Sequence, residues 1–169
     1  MVVLHSDHGY ALGERGSWEK MSNEENTVRV PLMIAVPWMR TSKGRASEAT
    51  VELIDIFPTV VAVLNTGTPE GLDGNSLVPA MTRPAAEVDH NGTYALSQFP
   101  RCVAPWAQPG DFWSQNNCMQ QDRALFSHMG YSIRTRTWRF TEWYAWDGAG
   151  LKAEWSKVAG TELYSHAGN

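Results

Sequence analysis

The residues of this 169-residue chain whose types and spacing could do chemistry are Asp7, His8 and, after a glycine-rich stretch, Lys20. A carboxylate beside an imidazole can share a cation. Carboxylate oxygen suits Ca²⁺ or Mg²⁺ and imidazole nitrogen suits transition metals, so the pair leaves the ion open. Lys20 is a compact charge with three donors, suited to a sulfate or phosphate oxygen. The plainer alternative is a turn in which Asp7 bonds its own backbone, with Lys20 solvated. Gly9, Gly13 and Gly16 let the intervening loop turn sharply and bring its backbone close to a ligand.

The elements that must position these groups follow from apolar patterning. Val2, Val3 and Leu4 suit a strand buried on both faces, and Asp7 and His8 emerge at its carboxyl end, where α/β sheets collect ligands. A second apolar strand is expected near residues 32–36. A helix is expected from about residue 49 to 64, with Val51, Ile54, Val61 and Leu64 apolar and Pro58 bending or restarting it. Gly67-Thr68-Pro69-Glu70-Gly71 is turn chemistry, and residues 82–89 read as a linker.

A second region starts with a strand over residues 93–97. Tyr131, Ile133 and Thr135 alternate before a turn at Arg136-Thr137, and residues 139–144 return as the next strand. This divides the chain into an α/β core over 1–85 and an antiparallel-sheet subdomain over 86–169. Trp138, Trp143, Trp146 and Trp155 read as core or sheet-face packing rather than a sugar platform. Arg134 and Arg139 could grip a sulfate or carboxylate bidentately, but they read as surface pairs and stay outside the site. His5 reads as structural, and His90, His128 and His166 as ordinary loop or surface residues.

A net charge of −4 and a pI near 5.7 argue against nucleic acid as a partner. A local cationic pocket could still take an anionic sugar. No apolar run approaches the ~20 residues that span a bilayer, and no signal peptide is visible. Cys102 and Cys118 flank an irregular loop and could be a disulfide or two free thiols. Asn91-Gly92-Thr93 is a glycosylation sequon.

The longer string Ser6-Asp7-His8-Gly9-x-Ala11-Leu12-Gly13-Glu14-x-Gly16-x-Trp18-x-Lys20 closely resembles the sulfatase family, and within it the iduronate-2-sulfatase-like branch. The likeness continues in order through Val30-Pro31-Leu32-Met33-Ile34, Glu52-Leu53-Ile54-Asp55-Ile56-Phe57-Pro58-Thr59-Val60 and Leu72-Asp73-Gly74-Asn75-Ser76-Leu77. It resumes at Ser97-Gln98-Phe99-Pro100-Arg101 and Gly130-Tyr131-Ser132-Ile133-Arg134-Thr135, and closes at Glu162-Leu163-Tyr164. The fold implied is the C-terminal part of an alkaline-phosphatase-like α/β/α sandwich followed by a small antiparallel sheet.

The resemblance implies that Asp7 and His8 are the late pair of an active-site Ca²⁺ shell. It implies that Lys20 contacts the substrate sulfate and that Tyr10 shapes the sugar pocket. The family's nucleophile is a formylglycine made from a Cys-x-Pro-x-Arg motif. Cys102-Val103-Ala104-Pro105-Trp106 and Cys118-Met119-Gln120-Gln121-Asp122 do not fit it. The expectation is therefore a C-terminal fragment, inactive alone, whose partner is the missing N-terminal part of the same enzyme. Two ligands also fall well short of the about 6–8 oxygens that Ca²⁺ takes.

The implied substrate is a sulfated saccharide, with a lysosomal or secreted parent. That compartment favours a Cys102–Cys118 bridge. The competing expectations are another alkaline-phosphatase-like hydrolase, such as a phosphodiesterase, or a noncatalytic sulfated-glycan binder.

Overall fold

The computed structural model describes residues 1–67, 69–82, 94–101, 118 and 121–167. Most of the expected linker, the Asn91 sequon, His90 and Cys102 lie outside the described residues. In chain order the elements are β1 (Val2–His5), β2 (Ala11–Leu12), β3 (Trp18–Glu19), α1 (Glu25–Val28), β4 (Leu32–Ala35), α2 (Ile56–Leu64), α3 (Val78–Thr82), β5 (Ala95–Arg101), β6 (His128–Arg134), β7 (Trp138–Asp147) and β8 (Lys152–Ser165).

β1 and β4 pair antiparallel, with Val3 opposite Ile34 and His5 opposite Leu32. Alternation sends Leu32 and Ile34 to one face, where they pack with Ala49 and Val51 against buried Leu77 and Ala80. The other face is open: Val2, Leu4 and Met33 are 64%, 58% and 56% exposed. This corrects the expectation of a strand buried on both faces. Only one layer covers this two-stranded sheet among the described residues.

The expected helix starts later than its apolar pattern suggested. Residues 49–52 are irregular, a 3-10 turn covers Leu53–Asp55, and α2 follows. Buried Asp55 sets this start, accepting hydrogen bonds from Glu52 N at 2.8 Å and Asn75 N at 2.9 Å. Pro58 lies in the first turn of α2, where its missing N–H leaves no bond unmade. The helix stops at Asn65, a left-handed cap with φ 53°. Thr59 Oγ1 donates to Asp55 O at 2.6 Å and accepts from Leu77 N at 2.7 Å, pinning the following loop to the helix. Gly74 is required there, since a Cβ would meet Ile54 O at 2.2 Å.

β5, β6, β7 and β8 form one antiparallel sheet in sequence order. The alternation read over residues 131–144 is realised as β6 and β7, with Tyr131 opposite Glu142. Trp143 lies over Gly130, where a Cβ would meet its ring at 2.6 Å, and its Nε1 donates to Glu162 Oε1 at 2.8 Å. Trp146 packs beside Phe126. Trp155 stacks against Tyr131 and Tyr144 at 4.8 and 4.9 Å, yet both it and Trp138 are largely exposed. The packing expectation therefore fits Trp143 and Trp146 better than Trp138 and Trp155.

α1 is bolted to this sheet. Glu25 accepts from Arg134 Nε at 2.9 Å and from Arg139 Nη2 at 2.7 Å, and Asn23 Nδ2 donates to Gly130 O at 3.1 Å. Arg139 is 3% exposed and the His166 side chain 10%. Arg134 and Arg139 are thus not surface pairs, nor is His166 a surface residue. The half-buried Glu25 carboxylate draws the two guanidiniums inward.

Candidate metal and anion site

The loop after β1 is shaped by its own short polar side chains. Ser6 Oγ donates to His8 O at 2.8 Å, and His8 N donates to Asp7 Oδ1 at 3.0 Å. The turn chemistry considered from the sequence is present, and it uses only one oxygen of Asp7. Its own backbone N–H first, and the facing His8 ring second, hold the Asp7 carboxyl below the usual carboxylate range. Gly9 N donates to Thr27 O at 2.8 Å, and a Cβ on Gly9 would lie 2.0 Å from Asn26 O. The close approach that demands glycine here is therefore to the backbone of α1.

A hairpin then brings Lys20 back. Ala11 pairs with Glu19 and Leu12 with Trp18, while Gly13 (φ 113°) and Gly16 (φ 73°) make the reversal. Glu14 Oε2 accepts from Leu12 N at 2.6 Å, which closes the loop and lowers the Glu14 pKa. Arg15 and Glu19 also have positive φ, 54° and 65°, a conformation costing roughly 1–2 kcal/mol per residue. Arg15 offsets some of that cost by lying 4.3 Å above the Tyr164 ring. Glu19 turns the chain directly before Lys20.

His8 Nδ1 lies 2.7 Å from Gly9 O. A carbonyl only accepts, so Nδ1 carries a proton, and in the neutral ring Nε2 then presents its lone pair. Lys20 Nζ donates to that Nε2 at 2.9 Å, and Asp7 Oδ2 stands 3.6 Å from the same atom. The structure thus brings Asp7, His8 and Lys20 together at one point. Tyr10 is 51% exposed, and among the described residues no hydrogen bond or ring contact joins it to that point.

The donor set fits part of a cation shell. One carboxylate oxygen and one imidazole lone pair 3.6 Å apart can share an ion with bonds of about 2.3–2.6 Å. No cluster of three or more His, Cys, Asp or Glu that could hold a metal occurs among the described residues. Sequence reasoning missed the supports behind this point, Thr27 and Glu25. A glutamate in a short, mostly polar helix gives no sequence signal that its partners lie 109 and 114 residues away.

Residues 1–66 match the family model described as Sulfatase. Iduronate 2-sulfatase of Mus musculus is 29% identical over 97% of this chain and 36% of its own length. Arylsulfatase K of Xenopus laevis is 32% identical over 58% of this chain and 19% of its own length. The phosphonate monoester hydrolase of Silicibacter pomeroyi superposes with a TM-score of 0.65 at 26% identity, covering 99% of this chain and 28% of that one. A putative sulfatase from Bacteroides thetaiotaomicron shares the fold, with a TM-score of 0.63 over 98% of this chain and 29% of its own, at 17% identity. The chain spans little more than a third of the iduronate 2-sulfatase length.

Proposed function

We propose, from the match of residues 1–66 to the Sulfatase model and the 29% likeness to iduronate 2-sulfatase over 97% of the chain, that this chain is part of a sulfatase and supplies the late metal ligands and the sulfate-binding lysine of a calcium-dependent sulfuric ester hydrolase. The proposed substrates are sulfated uronates of the glycosaminoglycan type, as for an iduronate-2-sulfatase-like enzyme. The observation that carries this reading is the meeting of Asp7 Oδ2 and Lys20 Nζ at Nε2 of His8.

Asp7 and His8 would hold Ca²⁺, with its remaining ligands from outside this chain. When bound, the ion adds positive charge beside the reacting sulfuryl oxygens. Gly9 O fixes the His8 proton on Nδ1 and so keeps Nε2 available. With Asp7 and His8 holding the metal, the Lys20 ammonium, now 2.9 Å from His8 Nε2, would be available to bind a substrate oxygen. As a donor aimed at an oxygen that gains charge in the transition state, Lys20 lowers the barrier rather than merely retaining substrate. The exposed Tyr10 ring would wall the sugar pocket. Neither cysteine fits the formylglycine motif, so the nucleophile would come from outside these residues, and the chain alone would be inactive.

The same reading places the parent enzyme in the lysosome or outside the cell, bridged at Cys102–Cys118 and glycosylated at Asn91. Among the described residues no helix is long and apolar enough to cross a membrane. A second reading, phosphoryl chemistry at the same three residues, is favoured by the likeness to a phosphonate monoester hydrolase at 26% identity.

The test uses the full-length enzyme on a 2-O-sulfated uronate disaccharide. Lys20→Ala should lower kcat/KM about 10²–10³-fold, the cost of losing one preorganised donor to developing charge. Asp7→Asn should raise the calcium concentration needed for half-maximal rate. Wild-type kinetics in Lys20→Ala, or unaltered calcium dependence in Asp7→Asn, overturns the assignment. Faster turnover of a phosphonate monoester than of the sulfate ester selects the second reading.

A further inference from the structure

The hairpin that returns Lys20 to His8 is too small to hold its own shape. Its strands pair over two residues each, Ala11 with Glu19 and Leu12 with Trp18, and a lone two-stranded hairpin is marginal in water. Leu12 and Trp18 are largely exposed, so apolar burial does little to steady it. The hairpin is also strained on both sides of Trp18. Arg15 at its tip has φ 54° and ψ 26°, and Glu19, directly before Lys20, has φ 65°. Non-glycine residues keep such conformations where the surrounding structure overdetermines them.

That support comes from the other end of the chain. The Arg15 guanidinium lies 4.3 Å above the centre of the Tyr164 ring, and the ring is itself fixed. Tyr164 and Glu162 stand two residues apart on one face of β8, and Tyr164 OH donates to Glu162 Oε2 at 2.9 Å. The other oxygen, Oε1, accepts from Trp143 Nε1 at 2.8 Å on the neighbouring strand. Burial first, and the hydrogen bond to Glu162 second, raise the Tyr164 pKa, so the hydroxyl stays a donor and the ring stays neutral near pH 7.

A second tie lies on the far side of Lys20. Asn23 Nδ2 donates to Gly130 O at 3.1 Å, and Gly130 is the residue that Trp143 covers. Lys20 is thus bracketed by Arg15 and Asn23, and both are held by the same part of the four-stranded sheet. Asn23 is buried, whereas the Arg15 tie is exposed and reaches the hairpin directly.

We propose that Tyr164 is a positioning residue for Lys20: by seating Arg15 it fixes the hairpin that carries the Lys20 ammonium to the point beside His8 Nε2. The inference rests on the sulfate-binding role proposed above for Lys20. Tyr164 touches no reacting atom. It acts on the rate because a donor must sit within a fraction of an ångström of the place where charge develops. Loosening the hairpin therefore appears in kcat rather than in KM.

A double-mutant cycle in the full-length enzyme, on the 2-O-sulfated uronate disaccharide, tests this. Tyr164→Leu should lower kcat about tenfold with KM within about twofold. That lies between the about two- to fivefold of one exposed cation–π contact and the about 10²–10³-fold expected for Lys20→Ala. Arg15→Gln, at the exposed hairpin tip and outside the sheet, should reproduce the loss, and it carries the test if Tyr164→Leu does not fold. Tyr164→Phe keeps the ring face and should recover most of kcat. In the Lys20→Ala background neither Tyr164→Leu nor Arg15→Gln should lower kcat further, since no ammonium is left to position. A merely structural role would lower kcat by the same factor in both backgrounds. Losses that multiply in the double variants, or wild-type kcat in Arg15→Gln, overturn the positioning role and leave the Lys20 assignment standing. Wild-type kinetics in Lys20→Ala overturn that assignment and the positioning role with it.

Discussion

Glu25→Gln is the substitution whose consequence can be worked furthest. The carboxylate holds two guanidiniums at 2.7–3.1 Å, and its side chain is 23% exposed. Burial pushes its pKa up, but the hydrogen bonds and charges of Arg134 and Arg139 outweigh that and bring it from 4.5 to about 2. A depression of that size corresponds to about 3 kcal/mol of stability at neutral pH, to order of magnitude. Because the folded pKa is depressed, this contribution is complete above pH about 4.5 and disappears as pH falls through about 2. Glutamine keeps the shape and leaves the buried Arg139 and part-buried Arg134 guanidiniums facing each other, a loss of at most about 3–5 kcal/mol, the range for a broken buried pair. The two routes agree, and either is a large share of the about 5–15 kcal/mol that stabilises a domain.

Urea unfolding followed by tryptophan fluorescence, at pH 7 and in steps to pH 2.5, measures the gap between wild type and Glu25→Gln. The gap should be about 3 kcal/mol at pH 7 and shrink steadily with acid. The Gly9 amide should also exchange faster in the variant, since its acceptor Thr27 O belongs to the same helix. A gap under about 1 kcal/mol at pH 7, the range of an exposed ion pair, would refute the clamp. So would a gap that stays constant down to pH 2.5.

Two further substitutions probe the loops. Gly9→Ala drives a Cβ to within 2.0 Å of Asn26 O, so urea midpoints should show a loss of about 1–3 kcal/mol. Gly16→Ala meets open space and only the strain of φ 73°, and should cost about 1–2 kcal/mol. Thr59→Val removes the hydroxyl between Asp55 O and Leu77 N and should cost about 1–3 kcal/mol for the stranded buried groups. Thr59→Ser should recover most of that stability, with Leu77 amide exchange as the local reporter.

Elements with a regular period were legible in the sequence, because period reports which face an element can bury. The alternation of Tyr131, Ile133 and Thr135 before Arg136-Thr137 becomes β6 and its turn, and the run at Val2, Val3 and Leu4 becomes β1. The start of α2 was misplaced, because the Asp55 side chain, linked to Asn75 twenty residues on, outweighs the apolar spacing. Exposure of Val2, Leu4 and Met33 was not legible either, since a strand's sequence does not state how many layers will cover it.

For the chemistry the division is sharper. The sequence by itself determined the chemical types, a carboxylate, an imidazole and an ammonium in one glycine-rich segment, and the family string around them. Only the tertiary structure decided that a short hairpin brings Lys20 to 2.9 Å from His8 Nε2, and that a backbone carbonyl fixes which nitrogen is free. Only the tertiary structure showed that Arg139 and His166 are buried and that a glutamate more than a hundred residues away clamps the sheet. The physical reason is range. Turn chemistry and side-chain period act over a few residues, whereas a buried charge finds its partner through the packing of the whole chain.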